Sequence, residues 1–185
     1  NKISDIKQTN TTGWGSNGIG LFSTSTAIGL NVYNNFIPDV ASQGFNDVTA
    51  SDNGYGIMVG TGAGYNIYFN TVHLNTNQGA NAATGITAAI NLASGLAAGS
   101  VNLRNNILGS SQTVGANRYA ILCSSANTAF SAINFNDYYT SGPNLGIIAA
   151  VNRANLAAII AGFGGNANSV NVTPVYVSGT NLHLD

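Results

Sequence analysis

The sequence contains no glutamate, and only 6% of its residues are charged, against about 25% in an ordinary soluble domain. Helical proteins use glutamate, lysine and arginine as exposed helix formers, so this composition disfavours a mainly helical fold. The five lysines and arginines form no cluster, which argues against a nucleic-acid partner. The single cysteine, Cys123, allows no internal disulfide, and its apolar neighbours Ile121 and Leu122 favour a buried, inert thiol.

Long apolar runs are also missing. The closest approach to a membrane-spanning segment, residues 145–161, is interrupted by Asn152, Arg153 and Asn155, so no membrane span is predicted. The polar residues that are present favour turns, with 28 asparagines and 23 glycines in the chain. A hydrophobic content of 44%, with regularly spaced aliphatic residues, argues against disorder. The composition therefore favours a β protein with many turns.

A repeat runs through the chain. Four similar segments are spaced by 35, 36 and 32 residues, and they begin at Asn31, Asn66, Asn102 and Asn134. A half-copy opens the chain, because residues 1–6 match residues 35–40. No segment of this length can bury its own apolar face, so stability must come from stacked coils, as in solenoid proteins.

Alternation within the repeat assigns inward and outward positions. The first apolar residue of each segment is predicted to point inward: Val32, Ile67, Leu103 and Phe135. The residue after it is predicted to point outward: Tyr33, Tyr68, Arg104 and Asn136. Three asparagines fall at a sharp bend, where left-handed backbone and stacking of amides at the strand spacing of about 4.8 Å predict a hydrogen-bonded ladder. These ladder residues are Asn35, Asn70 and Asn106.

Two segments, residues 56–59 (Gly-Ile-Met-Val) and 66–72 (Asn-Ile-Tyr-Phe-Asn-Thr-Val), resemble the right-handed parallel β-helix repeats of pectate-lyase-like proteins. More narrowly, the repeats resemble those of large bacterial surface proteins that carry an outer-membrane secretion sorting domain, and residues 166–184 are similar to their closing segment. Repeats and resemblance together predict an all-β, right-handed parallel β-helix (a β-solenoid) of about five rungs. Enzymes and stalks share these repeats, so the resemblance does not choose a function.

We expect a single domain over residues 1–185. Its predicted parts are repeats over 1–144, a helix or loop insertion over 145–165, and closing strands over 166–185. Within the insertion, a short helix is predicted over residues 155–161, because apolar residues at 156, 159 and 160 follow Asn155, a good N-cap. Gly164 and Gly165 would end it. This helix would lie against one face of the solenoid or cover an open end.

Carboxylates that could perform catalysis are scarce. A glycosidase needs two on one face, and with no glutamate and six aspartates we predict no catalytic residue and no enzyme activity. Asp5 and Asp39 share a repeat position one rung apart, where they would cap turns or, less favourably, share a cation or a proton. His73 and His183 are too few for a zinc site, and His73 is predicted to face solvent from its strand.

Two remaining groups are candidates for binding. Asp47 and Asp52 share a loop with two asparagines, which makes them a weak Ca²⁺ candidate, although ordinary turns explain the loop better and no cofactor is otherwise predicted. Tyr33, Tyr68 and Arg104 occupy the same outward position on successive rungs. Such a column either binds sugar rings or stabilises the sheet by cross-strand pairing.

These observations predict a non-catalytic structural or adhesive module that is extracellular, at a cell surface. The chain opens within a repeat, and uncapped ends could stack head to tail into a fibre, so the expected partner is the chain itself or a surface glycan. The alternative is a carbohydrate-binding or divergent polysaccharide lyase-like protein. Its glycan contacts would lie on the tyrosine column or on the variable loops at 38–54, 75–84 and 109–117.

Overall fold

The structure, a computed structural model, describes residues 1–9, 14–42, 53–78, 86–114 and 117–185. Over these residues the chain winds as parallel strands around one apolar interior, which confirms the all-β solenoid class that the repeats predict. In chain order the strands are β1 (Ile6–Gln8), β2 (Ser16–Phe22), β3 (Leu30–Tyr33), β4 (Phe36–Pro38), β5 (Val40–Ser42), β6 (Asn53–Thr61), β7 (Tyr65–Tyr68), β8 (Thr71–Leu74), β9 (Thr87–Leu92), β10 (Val101–Arg104), β11 (Ile107–Ser110), β12 (Arg118–Cys123), β13 (Phe130–Asn134), β14 (Asp137–Thr140), β15 (Gly146–Ile148), β16 (Val151–Arg153), β17 (Tyr176–Ser178) and β18 (Asn181–Leu184).

Three sheets form the walls of the solenoid, and successive strands of the chain pass from one sheet to the next. The first sheet holds β2, β6, β9, β12 and β15 in parallel, with β16 antiparallel at its end. The second holds β3, β7, β10 and β13, and the third holds β4, β8, β11 and β14, all parallel. Each strand therefore hydrogen-bonds to its counterpart one coil away, as a solenoid requires.

The described residues form about three turns, where the sequence predicted about five rungs. The difference arises at the two ends. Residues 1–6 add only a bridge from Lys2 to Phe36 and the start of β1, which pairs with β5. At the other end, Val170 bridges to Asp137, and the chain then leaves the stack. The segments at both ends therefore resemble the repeat in sequence without forming a full coil. Each adds only a few residues that pair with the edge of a neighbouring strand.

Inward columns of aliphatic residues build the core. Val32, Ile67 and Leu103 are buried in register, as the alternation predicts. In the fourth repeat segment the prediction was wrong, because Ile133 pairs with Leu103 and Phe135 is 52% exposed. The alignment on Asn134 placed that coil two residues too late, since the coil is shorter than the others.

The predicted short helix is confirmed as α1 (Leu156–Phe163), which begins one residue later and ends two residues later than expected. Asn155 caps it by accepting a hydrogen bond from the backbone N–H of Ala158 at 3.0 Å, and Gly164 ends it with φ of 69°. Ile159 and Phe163 are the buried residues of the helix, and both belong to the core. Because α1 contacts β15 and β16 and Phe163 meets Phe130 of β13, the helix covers the C-terminal end of the solenoid.

The last residues of the chain run back along the outside of the third sheet. Val170 pairs beside β14, Tyr176 meets His73 of β8, and His183 meets Phe36 of β4. Within this segment β17 and β18 pair as an antiparallel hairpin. We call residues 170–185 the C-terminal strap, since they cross the third sheet from its last strand to its first.

The described residues contain no helix that is both long and apolar enough to cross a membrane.

Candidate functional site

The asparagine ladder runs through the bend between the second and third sheets. Nδ2 of Asn35 donates to Oδ1 of Asn70 at 2.9 Å, and Nδ2 of Asn70 donates to Oδ1 of Asn106 at 3.0 Å. The same oxygens accept from backbone N–H groups, at 3.2 Å from Asn35 and 3.0 Å from Asn70. All of these bonds are buried, so each amide satisfies polar groups that would otherwise lose water without compensation.

Three more residues continue the ladder beyond those expected from the sequence. Asn1 Nδ2 donates to Asn35 Oδ1 at 3.1 Å, and Asn106 Nδ2 donates to Asn136 Oδ1 at 3.0 Å. The backbone N–H of Asn136 donates to the Ser169 hydroxyl at 3.0 Å. Asn136 had been expected to face outward, but it is 1% exposed, because the fourth coil is two residues out of the assumed register. The half-copy at the chain start was a signal for Asn1.

The left-handed backbone lies one residue before each ladder asparagine and not at the asparagine itself. The residues with positive φ at this bend have values of 54–57° and are Asn34, Phe69, Asn105 and Phe135. The left-handed conformation was predicted at the ladder asparagines themselves, and that prediction was wrong. The ladder amide holds the bend: Asn70 Nδ2 also donates to the carbonyl of Tyr68 at 3.2 Å and to that of Val32 at 2.9 Å. These bonds fix a conformation that costs a phenylalanine about 1–2 kcal/mol.

The tyrosine column contains a stacked pair. The rings of Tyr33 and Tyr68 lie 5.4 Å apart with an interplanar angle of 12°, and Phe69 meets Tyr68 edge-on at 5.6 Å. Arg104 follows in register on the next strand and is exposed. Because the two tyrosine rings face each other, those faces are not open to a sugar. The groups of this column that still face outward are the edges of the tyrosine rings, the exposed Phe69 and the Arg104 guanidinium.

Asp5 and Asp39 are not a free pair of carboxylates. Lys7 Nζ lies 2.9 Å from Asp5 Oδ1 and 2.6 Å from Asp39 Oδ2, so an ammonium joins them. Asp39 also accepts from the backbone N–H and the hydroxyl of Thr76 at 2.9 and 2.7 Å. Hydrogen bonding to Asp39 and then to Asp5 raises the pKa of Lys7. The cluster joins neighbouring coils, and both carboxylate oxygens of Asp39 are already engaged by Lys7 and Thr76.

His73 does not face solvent, contrary to expectation, because the C-terminal strap covers it and leaves it 8% exposed. Its Nε2 lies 2.9 Å from the Ser111 hydroxyl, while its Nδ1 has no partner among the described residues. Burial lowers the pKa of His73, and the Asp39 charge opposes that shift only in part. The serine–histidine contact resembles part of a hydrolytic triad, but Asp39 bonds to Lys7 and Thr76 and leaves Nδ1 unoriented.

Cys123 is a free and buried thiol, and burial raises its pKa to about 11. Asp47 and Asp52, the weak Ca²⁺ candidates, lie outside the described residues, as do parts of all three variable loops. Where the structure describes the chain, no group of three or more histidine, cysteine or aspartate side chains is placed to hold a metal ion.

The two ends of the solenoid differ. The N-terminal end has an opening of about 480 Å³ with no charged side chain in its lining, formed by Asn1, Ile19, Leu21, Leu30, Asn31, Val32, Tyr33, Asn34 and Asn35. At this end β3 is the last strand of the second sheet, with an open edge in the described part of the chain. At the opposite end α1 and β16 cover the core. The ends are therefore not complementary open edges.

Fold and ladder together define the class of the protein as a parallel β-solenoid. Comparison with protein-family models, with curated proteins and with solved structures found no significant match.

Proposed function

We propose that the chain is a structural or adhesive β-solenoid module that works outside the cell. The observation that carries the proposal is the buried ladder, which runs from Asn1 to Ser169 and joins every coil of the described residues. A spine of this kind links the coils by side-chain bonds in addition to the strand pairing. It makes the solenoid a stiff unit that extends along its axis.

The surface composition supports an extracellular role. With five lysines and arginines in 185 residues, the chain offers few cleavage sites to proteases that recognise basic residues. Its sequence also resembles repeats of bacterial surface proteins.

Antibody labelling of intact and lysed source cells tests the location. We expect intact cells to be labelled, and trypsin added outside to leave the described coils uncleaved in the native chain. Labelling that appears only after lysis would overturn the extracellular part of the proposal. Release of reducing sugar from a polysaccharide panel by the purified chain would overturn the non-catalytic part.

A second candidate function, carbohydrate binding, has one observation in its favour: the exposed side chains beside the tyrosine stack. Phe69 is 56% exposed, and the exposed Arg104 pairs in register with Tyr68 on the neighbouring strand. A glycan array tests this with Phe69→Ala combined with Arg104→Ala, and with Tyr139→Ala on the third sheet as the matched control. Binding that the double variant loses and the control retains would support the candidate, whereas no binding by the unaltered chain would reject it.

Self-association, as part of the structural role, would use the N-terminal end. Edge strands usually carry a charge, a proline or a bulge that prevents pairing, and β3 has no charged residue or proline. Stacking of copies end to end would give the fibre expected from the sequence, whereas pairing through the edge of β3 alone, with α1 and β16 over the core at the other end, would give a closed pair. Light scattering should then show a dimer that Leu30→Lys dissociates and Val172→Lys does not. A monomer at high concentration would contradict this contact.

A further inference from the structure

Both histidines of the chain lie where the C-terminal strap meets the solenoid. His73 belongs to the third sheet and contacts Tyr176 of the strap, with ring centroids 4.9 Å apart. His183 belongs to the strap and contacts Phe36 of the third sheet, with centroids 4.8 Å apart. The chain has two histidines in total, so every side chain that ordinarily titrates near pH 6.5 sits at this one contact.

The surroundings of His73 suit the neutral imidazole and not the cation. Nε2 has the Ser111 hydroxyl at 2.9 Å, but Nδ1 is buried without a partner in the described part of the chain. Tyr176 Oη, beside it in the strap, is likewise buried without a partner there. A protonated ring needs an acceptor at each nitrogen, and a buried charged N–H left without one destabilises the attached state.

Charged groups near His73 do not compensate for burial. Asp39, one strand away, attracts a cation, but the Lys7 ammonium lies 2.6 Å from its carboxylate and offsets that attraction. Asp137 on β14 accepts a hydrogen bond from the backbone N–H of Val172 at 2.9 Å. Burial raises the pKa of Tyr176, and the negative charge of Asp137 raises it further. Burial lowers the pKa of His73 and raises the pKa of Asp137, so the attached strap disfavours charge at both positions.

Among the described residues, few contacts hold the distal part of the strap. Apart from the two ring contacts, Asn75 Nδ2 donates to the carbonyl of Gly179 at 3.1 Å, and Leu182 is buried. Val175, Val177 and Leu184 are each more than half exposed. A two-stranded hairpin is marginal by itself in water, so β17 and β18 stay ordered only while they are attached.

We propose that the C-terminal strap is an acid-released cover: protonation of His73 detaches residues 176–185 from the third sheet while the solenoid beneath stays folded. Release would uncover the outer face of β4 and β8, where Phe36 and His73 lie. The anchor at Val170, which pairs with β14 through backbone hydrogen bonds to Asn136 and Tyr138, would remain.

The direction of the pH dependence follows from the two titrations. The pKa of His73 is lower in the attached state than its ordinary value of 6.5, so release takes up a proton and becomes more favourable as the pH falls below 6.5. One proton per release corresponds to at most about tenfold per pH unit. Asp137 has the opposite effect on release. Its pKa is raised in the attached state, so release gives up a proton there, but this happens only at acidic pH because the ordinary pKa of an aspartate is 3.8. Release of the strap therefore becomes more favourable as the pH falls below 6.5, and the titration of Asp137 opposes it only at more acidic pH.

Hydrogen exchange of the full chain at pH 7.5 and pH 5.0, corrected for the intrinsic pH dependence of exchange, tests this proposal. We expect protection of residues 176–185 to fall at least several-fold at pH 5.0, with protection of β7, β10 and β13 unchanged. His73→Gln should abolish the pH dependence, and the matched control His183→Gln should retain it. Equal strap protection at both pH values, or simultaneous loss of protection in the solenoid strands, would overturn the proposal.

An NMR titration of the unaltered chain provides a second readout that does not require any variant to fold. The strap amide signals should shift together with the His73 ring signals, at a midpoint below 6.5. Strap signals that follow His183, or that do not move between pH 7.5 and 5.0, would show that His73 does not control the attachment.

Discussion

Nδ2 of Asn106 donates to Oδ1 of Asn136 at 3.0 Å, across a coil in which the two residues are 30 positions apart. The corresponding bond from Asn35 to Asn70 spans 35 positions. The ladder therefore keeps its geometry while the coil length varies, because each bend is fixed by the amide stacked on the next. Differences in coil length are accommodated outside the ladder, for example by the register shift in the pairing of β10 with β13.

We predict that Asn70→Ala destabilises the solenoid by about 2–3 kcal/mol, because it removes side-chain bonds to two neighbouring rungs and takes away the acceptor of the buried backbone N–H of Asn35. Equilibrium chemical denaturation measures the effect. Asn31→Ala, at an exposed strand position of the preceding repeat, is the matched control and should stay within about 0.5 kcal/mol of the parent. Similar losses for both variants would contradict the ladder's role.

Gly56→Ala is predicted to destabilise the fold by about 1–3 kcal/mol through overpacking. A Cβ at Gly56 would meet a side-chain methyl of Val72 and lie 2.6 Å from the carbonyl oxygen of Ala89. Gly20→Ala is the comparison, since its nearest neighbour is the exposed ring of Phe22 at 3.0 Å, which can rotate away. Thermal unfolding should show a lower Tm for Gly56→Ala alone, and equal Tm values would count against this packing.

Phe135→Asn is predicted to stabilise the chain by about 0.5–1 kcal/mol, because asparagine tolerates the left-handed backbone better than phenylalanine. Phe135 is largely exposed, so little packing is lost. Asparagine already occupies the equivalent bend position at Asn34 and Asn105. A variant less stable than the parent in denaturant titration would show that the Phe135 side chain has a packing role.

Cys123 is predicted to resist thiol reagents at pH 8 in the folded chain, because burial raises its pKa to about 11 and blocks access. The rate of reaction with a chromogenic disulfide should rise by several orders of magnitude in denaturant, where the thiol is exposed. Fast reaction of the native chain would mean that β12 opens locally.

The sequence predicted the inward columns because strand alternation is local: Val32, Ile67 and Leu103 recur with the repeat and lie buried. It misplaced the fourth coil because a shortened coil breaks the spacing on which the alignment depends, and only the strand pairing of Ile133 shows the true register. It placed Tyr33 and Tyr68 on one column but could not show that their rings face each other, since rotamers are not encoded in spacing.

The exposure of His73 could not be read from its own strand. What covers it is a strap whose contact to the same coil, from Asn75 to Gly179, spans 104 positions. Contacts of such length depend on where the tail lies after the solenoid has formed, and no local pattern predicts them.

Single-molecule stretching of the chain, pulled from its two ends, tests the central claim that the asparagine ladder makes the solenoid a mechanical unit. We expect the parent and Asn31→Ala to unfold at the same force, and Asn70→Ala to unfold at a clearly lower force with the same total extension. Equal unfolding forces for all three chains would contradict it, because strand pairing alone would then carry the load.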